Sequence, residues 1–295
     1  MTSSHPDFPE HPLFPLPPLR ETIAAHGLMA RKSLGQNFLF DLNLTGRIAR
    51  SGGTLTTGTT IEIGPGPGGL TRALLDNGAC HVIAIERDPR MVPIQQEIAS
   101  AYPERLELIQ ADALAIPAHT LGASPRRIVA NLPYNVATPL ILEWLKHIQA
   151  FECLVVMLQK EVVNRLAARP RTSDYGRLTI ITQWLCTVEP LFDVNPRAFI
   201  PPPKVTSTVV RLVPRPAPLA PCRFDMLEAV TAAAFNQRRK MLRSSLKGLA
   251  SYMPSGMTTE DLCAAANIVP TARAEELDIP QFCALANSLD PSHTP

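Results

Sequence analysis

Four consecutive residues, Asn131-Leu132-Pro133-Tyr134, bring together a carboxamide, freed backbone carbonyls and an aromatic ring. They follow Arg127-Ile128-Val129-Ala130, which reads as a buried strand, and Pro133 must end that strand because proline has no N–H for a ladder. Asn131 is thereby placed at a strand's carboxyl end, the edge at which open α/β sheets bind ligands. The Asn131 oxygen and the Leu132 carbonyl could accept hydrogen bonds from a planar amino group while Tyr134 stacks on the ring that carries it. An enzyme working on an adenine turned out of its stack needs that arrangement. Without such chemistry, the same residues are a proline turn with a packed tyrosine.

Upstream, Thr59-Thr60-Ile61-Glu62-Ile63 runs into Gly64-Pro65-Gly66-Pro67-Gly68-Gly69 and then Leu70-Thr71-Arg72-Ala73-Leu74-Leu75. This is strand, glycine loop and helix: the glycines permit a tight turn and close approach of backbone to a ligand, and the helix start offers unpaired N–H groups. Gly64, Gly66 and Gly69 fit a dinucleotide spacing, whereas Gly64, Gly66 and Gly68 fit an S-adenosylmethionine spacing. The next apolar run, Val82 to Ile85, ends in Glu86, 22 residues after Gly64, where a carboxylate could hold both hydroxyls of a ribose. A third run, Leu106 to Gln110, leads to Asp112, which could accept from an adenine amino group or simply cap a turn. Glu86, Asp112 and Asn131 would then line one cleft.

The elements that must position these groups alternate. After Asn131 the pattern predicts a helix over 138–148, a strand over 153–158, helices over 162–168 and 175–184, and a late strand over 206–213. A predominantly parallel sheet with helices on both faces follows. Pro214, Pro216, Pro218 and Pro221 mark a linker, beyond which residues 224–287 read as helices and loops. The expected division is a proline-rich, extended or disordered arm over 1–18, a catalytic domain over 19–215 and a helical domain over 216–295.

That last region holds a basic cluster. No acid occurs between Ala229 and Ser251, while Arg238, Arg239, Lys240, Arg243 and Lys247 do. A single helix through this segment would bury Phe235, Leu242, Leu246 and Leu249 and project Lys240, Arg243 and Lys247 from one flank. The cluster is either a solvated face or, given an adenine-gripping turn on the same chain, a contact for RNA phosphates.

Taken together, five segments resemble the KsgA/RsmA family of small-subunit ribosomal RNA adenine dimethyltransferases. They are Leu34-Gly35-Gln36-Asn37-Phe38-Leu39, Glu62 to Gly69, Asn131 to Asn135, Phe199-Ile200-Pro201-Pro202-Pro203-Lys204-Val205, and Phe235 to Arg243. The likeness extends over residues 18–288 and departs in the first 18 residues, which hold six prolines. It implies an α/β, Rossmann-like methyltransferase core with a smaller, mainly helical C-terminal domain. It further implies dimethylation at N6 of two adjacent adenosines in a hairpin near the 3′ end of 16S rRNA, within the small (30S) subunit, as a step in subunit biogenesis. S-adenosyl-L-methionine would be the donor and S-adenosylhomocysteine the product, with no metal. By the same resemblance Asn37 and Leu39 would cover the cofactor, Gly64 and Gly66 would meet its methionine part, Glu86 its ribose and Asp112 its adenine. Asn131, Leu132, Pro133 and Tyr134 would form the catalytic turn, Asn131 also touching the cofactor.

Three other readings keep part of this pattern. A large-subunit (23S) adenine methyltransferase of the antibiotic-resistance type has a similar core, and an inactive assembly factor would use the same surface for binding alone. A nicotinamide oxidoreductase would explain Gly64 to Glu86 but leaves Asn131 to Tyr134 without a task. Composition narrows the field little: a net charge of +2 over 295 residues demands that any RNA surface be local. The six cysteines show no C-x-x-C spacing and read as reduced thiols of a cytoplasmic protein. No apolar run approaches the roughly 20 residues that span a bilayer, so a soluble, cytoplasmic protein is expected; it is also expected to be a monomer.

Overall fold

A computed structural model describes residues 16–31 and 35–289. Its strands are β1 (Phe38–Leu39), β2 (Thr59–Ile63), β3 (Val82–Glu86), β4 (Leu106–Gln110), β5 (Arg126–Asn131), β6 (Phe151–Gln159), β7 (Cys186–Val194), β8 (Phe199–Ile200) and β9 (Ser207–Pro214). Its helices are α1 (Leu19–Ala25), α2 (Leu42–Ser51), α3 (Gly69–Asp76), α4 (Val92–Ala101), α5 (Tyr134–Lys146), α6 (Lys160–Leu166) and α7 (Arg177–Leu185), followed by α8 (Phe224–Asn236), α9 (Leu242–Ser245), α10 (Thr259–Ala265) and α11 (Ile279–Leu289). Seven strands form the main sheet in the order β4-β3-β2-β5-β6-β9-β7. Those from β4 to β6 are parallel, and β9 joins antiparallel to both β6 and β7.

Both faces of the sheet are covered, which is why its central strands read as continuous apolar runs. Along β6, Leu154, Val156 and Leu158 enter one core with α5 and α7, while Cys153, Val155 and Met157 enter the other with α2, α3 and α4. That alternation is the two-residue period of a strand. The first core continues without a break into α8, α10 and α11. There Phe235 stacks on Phe282 at 5.7 Å, Tyr175 meets Phe235 edge-on at 6.2 Å, and the Tyr175 hydroxyl donates to the Leu277 carbonyl at 2.9 Å. The proline-rich connector before α8 is pinned along its length: Gln149 donates to the Arg215 carbonyl, Trp184 to that of Ala220 and Asn287 to that of Pro221.

The apolar runs read as strands are β2 to β6 and β9. Strand β7 escapes the sequence pattern because Pro190 lies in its middle; it is tolerated at the sheet edge, where the register shifts between Pro190 and Phe192. The two-residue strands β1 and β8 pair antiparallel, Phe38 with Ile200 and Leu39 with Phe199, so two of the signature segments join each other.

Three expectations change. Helix α5 begins at Tyr134 rather than 138, with Pro133 at its N-cap and Pro139 accommodated inside. The end of the proline-rich arm is held, since the Pro17 carbonyl accepts from Arg72 at 2.6 Å and Leu16 packs on the second core; residues 1–15 lie outside the described residues, as do Lys32 and Leu34.

The single basic helix is also replaced. Helix α8 stops at Asn236, residues 237–241 form a turn, and α9 gives way to a 3-10 turn at Leu246–Leu249. The helical ladder is broken by outside partners: the Leu242 N–H donates to the Ala272 carbonyl at 2.8 Å and the Arg243 N–H to that of Pro270 at 3.0 Å. Leu242, Leu246 and Leu249 are nevertheless buried.

Candidate active site

The cleft lies outside the carboxyl ends of β2, β3, β4 and β5, and every residue expected at the cofactor and at the catalytic turn lines it. Gly64, Gly66 and Gly68 all have positive φ (66°, 54° and 89°), so the S-adenosylmethionine spacing is the one whose glycines serve the turn. Gly68 caps α3, and a Cβ there would fall 2.2 Å from Ile98 Cδ1. Gly69 has ordinary φ but sits so close to β1 that a Cβ would lie 2.7 Å from the Leu39 carbonyl oxygen.

Glu86 ends β3 with both oxygens engaged: the Gly66 N–H donates to one at 3.0 Å and the Asp88 N–H to the other at 2.7 Å. Burial raises its carboxyl above the usual range, opposed by these amides. The carboxylate therefore holds the glycine loop as well as facing the cleft. Asp88 belongs to a network that reaches the amino-terminal signature. Gln36 donates to it at 2.8 Å and Arg90 at 3.0 Å, while the Gln36 oxygen accepts from the Arg31 N–H and from Arg90. Burial works against ionisation of Asp88, but the Arg90 and Gln36 hydrogen bonds hold it below the usual carboxylate range. Asp112 caps a short turn by accepting from the Leu114 N–H at 3.0 Å, and its other oxygen lies 3.3 Å from Arg87.

At the Asn131 to Tyr134 turn, the Asn131 amide donates to the Asn37 carbonyl at 3.4 Å, leaving Oδ1 as the atom able to accept. The Leu132 side chain is buried in the first core, so only its backbone can serve the cleft. Tyr134 opens α5, and its hydroxyl is fixed 2.7 Å from Ser207 Oγ, the first residue of β9. Burial pushes the Tyr134 phenol up, which keeps it neutral. Asn37 also bonds its own loop, donating to the Gly35 carbonyl at 3.3 Å.

The basic residues divide. Arg238 is a structural tie, donating to Glu275 at 2.8 Å and to the carbonyls of Ser173 and Thr172 at 2.6 and 2.7 Å. Arg239, Lys240, Arg243 and Lys247 are exposed. Arg238→Ala is accordingly expected to cost about 1 to 2 kcal/mol and lower Tm by about 2 to 8 °C, whereas Arg239→Ala leaves the melting curve in place. Equal melting of the two variants would remove Arg238 from the scaffold.

Several residues that shape the cleft carry no distinct signal in the sequence. Phe38 and Phe199 line it from the small sheet, and Ser207 and Gln36 orient its parts. The aromatic residues sit inside recognisable segments, so their presence is visible there; the partners of Ser207 and Gln36 are distant in sequence and need the fold.

Residues 27–290 match the family model described as "Ribosomal RNA adenine dimethylase". The chain is 67% identical over 275 residues to the ribosomal RNA small subunit methyltransferase A of Rhodospirillum rubrum, covering 93% of each chain. It is likewise 67% identical to that of Paramagnetospirillum magneticum, covering 93% of this chain and 95% of the other. Among solved structures it resembles a dimethyladenosine transferase from Plasmodium falciparum, with TM-score 0.72 and 28% identity over 84% of this chain and 95% of that one. It also resembles the 23S rRNA methyltransferase ErmE, with TM-score 0.61 and 30% identity over 86% of this chain and all of the other.

Proposed function

The chain belongs to the ribosomal RNA adenine dimethylase family, and from that premise we propose that it dimethylates N6 of two adjacent adenosines in a hairpin near the 3′ end of 16S rRNA. The substrate would be met in the small (30S) subunit, in the cytoplasm, by a monomer. One observation carries the chemical part of this reading: the Asn131 to Tyr134 turn and the Gly64, Glu86 and Asp112 strand ends open into one cleft. The 67% identity to small-subunit enzymes, against 30% to the 23S enzyme, favours the small-subunit substrate. Among the described residues no helix is long and apolar enough to cross a membrane.

The cleft suits S-adenosyl-L-methionine on its own terms. The loop at Gly64 and Gly66 lets backbone approach a ligand, Glu86 and Asp112 present acceptors on adjacent strands, and the buried Oε2 of Glu62 has no partner. Bound there, the cofactor would supply an electrophilic methyl on a sulfonium. Gly64, Gly66, Asn37 and Leu39 would hold its methionine side and cover it, Glu86 its ribose and Asp112 its adenine.

The remaining work is done by the turn. Asn131 Oδ1 and the Leu132 carbonyl accept hydrogen bonds from the target amino group, orienting its lone pair and stabilising the charge that develops on nitrogen. Tyr134, held by Ser207, offers its ring to the flipped base. Outside the cleft, Arg239, Lys240, Arg243 and Lys247 would meet RNA phosphates.

Labelled S-adenosylmethionine incubated with under-methylated small subunits should deposit label on adenosine in 16S rRNA, and mapping of the modified nucleotides tests the assignment. Label confined to 23S rRNA, or none at all, would refute it. Replacing Glu86 with alanine should weaken cofactor binding by about 1.5 to 3 kcal/mol, the loss of a charged acceptor, with RNA affinity nearly unchanged. Calorimetry giving equal cofactor affinity in variant and wild type would take Glu86 out of the site.

A further inference from the structure

The most deeply buried acid of the cleft has no role in the scheme above. Glu62 lies in β2, between β3 and β5, with its Cα opposite Ala84, and is 1% exposed. It nonetheless lines the cofactor cavity, and its Oε2 finds no hydrogen-bond partner. From α3 the Thr71 hydroxyl favours the ionised form of the carboxyl, and from β3 another acid, Glu86, opposes it. Asp88 adds a third carboxylate beyond the end of β3. Asp112 is paired with Arg87 at 3.3 Å, the one cation among the described residues lining the cavity, and Tyr134 is a neutral phenol. The cations on the neighbouring elements are engaged elsewhere, Arg72 of α3 with the Pro17 carbonyl and the Thr22 hydroxyl and Arg90 with Asp88.

A carboxylate so buried and unpaired is costly, and two outcomes relieve the cost: it keeps its proton, or a cation arrives. Burial pushes the Glu62 carboxyl up to about 8, against the Thr71 hydroxyl and with support from Glu86. In the ligand-free chain near neutral pH it thus holds its proton. The cofactor assigned to this cavity is a cation.

We propose that Glu62 is the counter-ion of the bound cofactor, and that S-adenosylmethionine enters in exchange for the Glu62 proton. In that exchange the carboxyl O–H bond breaks, the proton passes to solvent, and the carboxylate remains beside the incoming positive charge. The inference rests on the reading of this cavity as the S-adenosylmethionine site and adds to it how that site sets its affinity. Two consequences follow by linkage. Cofactor affinity rises by up to tenfold for each pH unit between about 6 and 7.5 and flattens above about 8. In the ligand-free chain the raised carboxyl contributes stability that is full at low pH and is lost as pH rises through about 8.

Calorimetric titration of the full chain with S-adenosylmethionine at pH 6.5, below the range in which α-amino groups titrate, in buffers of different ionisation enthalpy, counts the protons. Wild type should release about one proton per cofactor bound. Glu62→Gln should bind with no release and with a flat pH profile, and its ligand-free Tm at pH 8.5 should equal or exceed that of wild type. Should that variant not fold, the proton count of Glu86→Ala decides instead: release that persists there belongs to Glu62, and release that is lost there does not. Binding without proton release, or release that persists in Glu62→Gln, overturns the exchange while leaving the cofactor site intact. Failure of wild type to bind S-adenosylmethionine at all would instead remove the site assignment, and the exchange with it.

Discussion

Asn131→Ala is expected to leave S-adenosylmethionine affinity within a few-fold of wild type while cutting methyl transfer by about a hundredfold or more. The asymmetry follows from where the side chain sits. Its amide makes one long hydrogen bond, 3.4 Å to the Asn37 carbonyl, so truncation removes little that holds the fold. Its Oδ1 is free to accept from the target amino group, and loss of that acceptor leaves the nitrogen both unoriented and unstabilised as charge develops on it. Melting temperature should move by no more than the loss of one weak hydrogen bond allows. Single-turnover methyl transfer and cofactor calorimetry on the same preparation check the two halves. A variant that keeps near wild-type turnover would show that the Leu132 carbonyl and the ring of Tyr134 position the amine without Asn131.

How much of this is legible in the sequence depends on whether a signal is local. The parallel strands announce themselves because both of their faces are covered, and Glu86 and Asn131 are placed at strand ends by the residues next to them: the end of an apolar run, and a proline. Local reasoning fails where distant groups decide. Pro190 hides β7, because a proline is admissible only if the strand proves to be an edge, and edge position is a property of the whole sheet. Asp112 is readable either as an adenine acceptor or as a cap, and the structure shows the capping bond while leaving its other oxygen beside Arg87. Glu62 reads simply as part of a strand, although an acid at the end of an apolar strand, two residues before a glycine loop, is itself an anomaly. Its missing partner becomes visible only when the elements around it are assembled.

The basic cluster shows the same division. Its freedom from acids is plain in the sequence, but the helical wheel assumes one uninterrupted helix, and the backbone bonds from Leu242 and Arg243 to Ala272 and Pro270 break it. The wheel nevertheless sorts buried from exposed correctly at Leu242, Leu246 and Leu249, because the local turns that replace the helix keep these residues inward. It cannot show that Arg238 is drawn to the carbonyls of residues 172 and 173.

Reversal of Lys240, Arg243 and Lys247 to glutamate together is therefore a sharper test than it would be on a continuous helix. The three residues are exposed and carry no ion pair among the described residues, so their replacement removes no tie of the kind Arg238 makes. Two of them flank buried leucines, Arg243 after Leu242 and Lys247 after Leu246, and those leucines are untouched. If these cations neutralise phosphates, every phosphate left without its cation reduces the number of counterions released on binding. The slope of log affinity against log salt should then flatten by about 2 to 3, with affinity for small subunits falling by about a hundredfold or more at low salt. Cofactor affinity should not change, because the cluster lies outside the lining of the cleft. Salt-dependent binding to small subunits, alongside a melting curve and a cofactor titration, separates the possibilities. A variant that melts like wild type and binds with unchanged affinity and slope would make this surface a solvated one and move the phosphate-binding groups to the rim of the cleft, where Arg31 stands exposed beside the amino-terminal signature.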